Sequence, residues 1–159
     1  MKILALDPGI GRTGFAIMEK NDNKITPIDY GCIETSPKEL LENRLVQIHT
    51  YLTRLIKLYQ PEVMVLEKVF FNTNQKTAIV VGQAQGVMIL SAVQNKMSIE
   101  WVTPLQVKQT LTGYGSADKQ QVQKMVIILL QIKEIIKLDD TADALACGLT
   151  FLSMNKMLQ

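Results

Sequence analysis

Lys2-Ile3-Leu4-Ala5-Leu6-Asp7-Pro8-Gly9 is the stretch from which the rest of the chain can be read. Four consecutive apolar residues make a short strand that Pro8-Gly9 stops, and the strand ends on a carboxylate. Thr13 to Glu19 alternates like a second strand, joined to the first by a glycine-containing turn, and a third fits Ile25 to Glu34. Val63-Met64-Val65-Leu66-Glu67 is another continuously apolar run closed by a carboxylate, the pattern of a strand covered on both faces. Ile99 to Val102 reads as a further strand.

The segments between these strands carry helical spacing. Ser36 before Pro37 is a start signal, the hydroxyl as N-cap and the proline at the first helical position. Leu41, Leu45, Ile48, Leu52, Leu55 and Tyr59 then recur along one face until Pro61. A second helix, Asn74 to Lys96, is apolar nearly all round, with Ala78, Gly82 and Gly86 forming a close-approach stripe. Such a helix needs two burial partners: the sheet, and either the rest of the domain or a second copy of the chain. Further helices are predicted near Pro104–Leu111, Lys119–Ile136 and Asp140–Met154, with Met88 and Trp101 in the core. A meander followed by alternating helices and strands predicts an α/β fold, a mixed sheet of about five strands flanked by helices on both faces. With no repeat or linker, residues 1–159 are expected to form a single domain.

Composition narrows the function. A chain that is 47% hydrophobic and 20% charged is ordinary for a globular protein and excludes a disordered tail. No apolar run reaches the roughly 20 residues a membrane span needs, and the opening is too short for a signal peptide, so a cytoplasmic protein is expected. Cys32 and Cys147 sit in apolar surroundings and are expected to be buried free thiols. His49 is the only histidine, which excludes paired-histidine chemistry. The net charge of +2 is no argument for a nucleic-acid partner by itself, so local clusters must carry that case.

The chemistry-bearing residues are carboxylates. In open α/β sheets the reactive site lies beyond the carboxyl ends of the parallel strands, where Asp7 and Glu67 both fall. Asp140 and Asp143 are three apart and share a helix face, and Asp143 lies in the small apolar run Ala142-Asp-Ala-Leu-Ala146. Each alone has an ordinary explanation: Asp7 as a turn former, Glu67 as a strand end, Asp139 and its neighbours as helix N-terminal acids. Together they make a cluster whose mutual repulsion a divalent cation would relieve. Oxygen ligands without histidine or cysteine suit Mg²⁺ or Mn²⁺, and two such ions can serve phosphodiester cleavage.

On these same residues the chain resembles a known family. Asp7-Pro-Gly-Ile-Gly-Arg-Thr-Gly14 looks like the opening motif of the RuvC Holliday-junction resolvases, within the ribonuclease H-like superfamily. Glu67-Lys-Val-Phe70, Gly82-Gln-Ala-Gln-Gly86, Gln106-Val-Lys108-Gln-Thr, Gly113-Tyr-Gly-Ser-Ala-Asp-Lys119 and Asp140-Thr-Ala-Asp143-Ala-Leu-Ala146 resemble further family blocks in the family's order. The resemblance implies catalytic, metal-holding carboxylates at Asp7, Glu67, Asp140 and Asp143. It also implies a Mg²⁺-dependent homodimer that nicks opposed strands of a four-way DNA junction symmetrically, in partnership with RuvA and RuvB. Dimerisation would use helix 74–96. The basic tail that some members carry is expected to be lacking here.

Lys108 and Lys119 match family positions on the DNA backbone near the scissile phosphate. Gly113 and Gly115 would let their loop approach a backbone closely, and Lys119 would stand beside free amides at a helix start. Phe70 of the Phe70-Phe71 pair would either stack on bases at the junction or pack beneath its loop. Arg12 and Lys76 are further candidate phosphate contacts. Rival readings are a nuclease of the same superfamily acting on RNA·DNA hybrids or other branched DNA, an actin-like ATPase, and a catalytically silent DNA-binding scaffold.

Overall fold

A computed structural model of the chain describes residues 1–68, 75–133 and 139–154, with 75–77 described by backbone alone. Three strands run first: β1 (Lys2–Asp7), β2 (Arg12–Asn21) and β3 (Lys24–Glu34). Helix α1 (Leu41–Tyr59) leads to β4 (Val63–Glu67), then α2 (Gln75–Gln94) and β5 (Ser98–Val102). Helices α3 (Pro104–Thr112), α4 (Lys119–Leu130) and α5 (Asp139–Met154) complete the described order. The sheet order is β3-β2-β1-β4-β5. The meander pairs antiparallel, whereas β1 and β4, and β4 and β5, pair parallel. The expected mixed sheet of five strands is therefore what forms.

Strand alternation divides the interior in two, because successive side chains point to opposite faces. Ile3, Ala5, Ala16, Met18, Val63 and Val65 face a core closed by α3, α4 and α5. Leu4, Leu6, Phe15, Ile17, Met64 and Leu66 face the other core, closed by α1 and α2. The central strands β1 and β4 are thus apolar throughout because both faces are covered. β3 lies at an edge, where a proline costs no ladder hydrogen bond that a neighbour needs. Pro27 sits there beside a register shift between Ile17 and Met18.

Several boundaries differ from the sequence expectation. Helix α1 does not start at Ser36-Pro37: its N-cap is Leu40, with no side-chain cap. The Ser36 hydroxyl accepts instead from the Lys38 amide in a local turn, satisfying an ST-type bond that competes with a cap. Helix α4 stops at Leu130 rather than Ile136, since Gln131 turns left-handed at φ 53° and its amide reaches back to Ile127 and Ile128. Residues Glu134 to Ile136 lie outside the described ones.

Trp101 is not core. It is 43% exposed on the edge strand β5, whereas Met88 is fully buried as expected. On α2 the buried face is Ala84, Met88, Ser91 and Ala92, while Ile79, Leu90 and Val93 are exposed. A β-carbon at Gly82 or Gly86 would meet nothing within 4 Å, so among the described residues these two glycines make no close approach. Cys147 is buried but Cys32 only partly so, and both are free thiols. Among the described residues no helix is long and apolar enough to cross a membrane.

Candidate active site

Asp7 and Glu67 come together through the parallel register of their strands. Leu6 pairs with Leu66, so the next residue on each strand is a carboxylate at the same edge. Neighbouring strands lie only ~5 Å apart. The N-terminal end of α5 adds Asp140 in its first turn and Asp143 in the next, at a helix end whose unpaired amides favour negative charge.

Gly14 lets α5 come this close. It pairs with Asp7 across the β1–β2 ladder. A β-carbon there would fall 1.8 Å from the Asp140 carbonyl oxygen and 3.2 Å from the Thr141 nitrogen. The backbone of α5 therefore rests directly on β2, and only glycine leaves room for it.

The electrostatics follow from the crowding. Burial first, then the charges of Glu67, Asp143 and Asp140, push the Asp7 carboxyl up to about 8, with Lys119 opposing. Glu67 is raised by burial and by Asp143, against a hydrogen bond from Asp7 and the charge of Lys119. Asp143 is raised mainly by burial, while the Lys119 hydrogen bond holds it down. Beneath them the buried Cys147 thiol is pushed well up, by burial first and then by Glu67 and Asp7.

Two cations reach in. Lys119 Nζ donates to Asp143 Oδ2 at 2.8 Å and lies 3.6 Å from Asp139 Oδ2. Burial lowers its pKa, but Asp143 and Asp139 outweigh this and raise it overall. The lysine thus faces carboxylates rather than the free amides of its own helix, whose N-cap duty falls to Asp118. Arg12 Nε lies 3.1 Å from Asp140 Oδ2, an ion pair without hydrogen-bond alignment, since that buried oxygen has no aligned donor. With Asp140 turned to Arg12 and Asp143 to Lys119, the described residues contain no three carboxylates converged as an ion would need. The donors still fit a hard divalent cation. They are all oxygens, and their crowding makes neutralisation favourable.

The family model described as "Crossover junction endodeoxyribonuclease RuvC" matches residues 3–151. This chain belongs to the RuvC family. A RuvC from Caldicellulosiruptor saccharolyticus is 53% identical over 150 residues, covering 94% of this chain and 90% of the relative. A RuvC from Caldanaerobacter subterraneus is 45% identical over 159 residues, covering 100% and 96%. The solved structure of Thermus thermophilus RuvC superposes with a TM-score of 0.89 at 31% identity, over 99% of this chain and 96% of that one. The same RuvC in complex with its Holliday-junction substrate gives 0.89 at 28% identity, over 99% and 96%.

The remaining residues singled out in this RuvC-family sequence are scattered in their placement. Lys108 lies in α3, partly buried, on a helix whose start is fixed by a Thr103–Gln106 capping box. Gly113 caps α3 at φ 86°, a left-handed turn that favours glycine, and a β-carbon at Gly115 would fall 2.6 Å from Leu105. Phe70 and the side chain of Lys76 lie outside the described residues. Sequence reasoning missed the pairing of Arg12 with Asp140. The signal available was an arginine five residues after the strand-end aspartate, at the start of the strand that returns beside it.

Proposed function

We propose that this chain is a Holliday-junction resolvase, a structure-specific endonuclease that nicks opposed strands of four-way DNA junctions for recombination and repair. The observation that carries the reading is the meeting of Asp7 and Glu67 at adjacent parallel strand ends with Asp140 and Asp143 at the α5 N-terminus. Membership of the RuvC family narrows the substrate from phosphodiesters in general to junctions.

Asp7, Glu67, Asp140 and Asp143 are the residues that would hold divalent cations, Mg²⁺ with Mn²⁺ as a substitute, two during cleavage. Such ions, when bound, neutralise the carboxylates and act as Lewis acids on the scissile phosphate. The chain's own residues do the rest. Lys119 and Arg12 now pair with Asp143 and Asp140, and with those carboxylates held by cations they would be free to meet phosphate oxygens. Lys108 on α3 and Lys76 add backbone contacts, and Phe70 stacks on or wedges between bases at the junction, where unstacking costs little. The uncovered apolar face of α2 supports a homodimer, which would supply two sites for symmetric nicking. RuvA and RuvB as partners and a cytoplasmic location complete the reading.

The test is cleavage of a synthetic four-way junction in Mg²⁺ beside linear duplex and RNA·DNA hybrid. Selective paired nicks in the junction are expected, and Asp7→Asn should bind the junction without cutting. Preference for the hybrid would transfer the chain to the related nuclease class, and full cutting by Asp7→Asn would remove the carboxylate mechanism.

A further inference from the structure

Arg44 is an arginine of helix α1 that none of the carboxylate chemistry uses. Its Nε donates to Thr35 Oγ1 at 2.9 Å. That hydroxyl, on a buried threonine, donates in turn to the Ile10 carbonyl at 2.6 Å, and the Thr35 amide donates to the Gly11 carbonyl at 3.0 Å. The guanidinium therefore lies across the loop between Asp7 and Arg12. A β-carbon at Gly11 would sit 3.6 Å from Nη2. One residue further on, Arg12 pairs with Asp140.

Among the described residues no carboxylate pairs with Arg44, although four ion pairs form elsewhere. One edge of the fork is thus fixed through Thr35 while the terminal nitrogens remain for another partner. A planar guanidinium held this way has already lost much of its rotamer freedom, which lowers the entropic cost of accepting an anion. Its fork matches two oxygens of a phosphate.

We infer that Arg44 is a backbone-phosphate site for the DNA strand entering the carboxylate cluster, oriented by Thr35 and presented beside Gly11. This rests on the junction-resolvase reading, since a nucleic-acid strand must run past the β1–β2 loop for the contact to form. Arg44 binds and orients the strand, while the carboxylates cut it. The Thr35 link also ties the arginine to the loop that carries Asp7, so strand binding and the position of that carboxylate are coupled.

The test measures junction affinity in Ca²⁺, as a function of salt, for wild type, Arg44→Gln and Thr35→Val. Each phosphate contact contributes about 0.9 to the slope of log K against log salt. Arg44→Gln is expected to weaken binding on the order of tenfold and to flatten the slope by about 0.9. Thr35→Val keeps the charge, so it should lose affinity with the slope unchanged. A brace without a phosphate contact would lower the melting temperature of Arg44→Gln and leave its slope and affinity at wild-type values, overturning the inference. A second measurement uses the unaltered protein, with phenylglyoxal labelling read by mass spectrometry. Junction DNA should protect Arg44, and equal labelling with and without junction would overturn the site even if the variants did not fold. Failure of the wild type itself to bind a junction would instead sink the resolvase reading.

Discussion

A β-carbon at position 14 would lie closer to the Asp140 carbonyl than side chains ever come to backbone. Either β2 or the first turn of α5 must then move, carrying Asp140 and Asp143 away from Asp7. Gly14→Ala is expected to cost about 1–3 kcal/mol and to reduce junction cleavage by about a hundredfold or more. Melting and single-turnover cleavage measure the two effects; wild-type cleavage in a folded variant would refute the account. Asp7 gives a pH prediction whose sign is fixed. Its folded-state pKa of about 8 stands above the ordinary 3.8, so its contribution is present at low pH and lost as pH rises through that interval. Glu67 and Asp143 are raised in the same direction. The metal-free melting temperature should therefore fall between pH 4 and 8, by several degrees for a chain of this size. Mg²⁺ or Asp7→Asn should flatten the decline. A metal-free protein with constant stability across that range would contradict the crowded arrangement. At this scale the four acids were legible because each ends an apolar run or interrupts one. The reason for Gly14 was not legible, since the atom it admits lies more than a hundred residues away.

Element boundaries are decided by bonds that are partly local. Asp118 and Gln121 form a reciprocal capping box at the start of α4, with Gln121 N to Asp118 Oδ1 at 2.9 Å and Asp118 N to Gln121 Oε1 at 2.9 Å. This cap fixes the helix turn from which Lys119 reaches Asp143. Asp118→Ala is expected to cost about 1 kcal/mol and to loosen the lysine, seen as a lower melting temperature together with slower cleavage. Unchanged stability would show that α4 is held by packing alone. The same kind of signal misled at Ser36, whose hydroxyl closes a small turn while α1 begins at Leu41. Ser-Pro suits both motifs, and only the path of the chain from β3 to the helix chooses between them. The apolar runs of β1 and β4 were read correctly because burial on both faces leaves an unambiguous pattern.

For the whole molecule, the sheet divides two cores, and the α1–α2 side leaves apolar residues in solvent. Ile79, Leu90 and Val93 all stand exposed on α2, an apolar stripe that the rest of the described chain does not cover. The homodimer proposal predicts a sedimenting mass near twice 17.8 kDa. Val93→Glu should shift it toward a monomer and convert paired nicks into single ones. A wild-type monomer at all concentrations would contradict the proposal, and symmetric nicking with it. The layered architecture was legible from the strand and helix order. The exposed edge that carries Trp101 was not, because an aromatic residue in a short strand looks the same at the middle of a sheet and at its border.

That border position makes the protein its own optical probe. Trp101 is the single tryptophan, partly in solvent, and it pairs with Leu66 immediately before Glu67. Its emission comes from one place, beside the strand end that carries Glu67, with no other indole to obscure it. Cation loading and strand arrival at the β4 end can therefore be timed by unlabelled fluorescence in stopped flow, separating the filling of the site from the cut that follows.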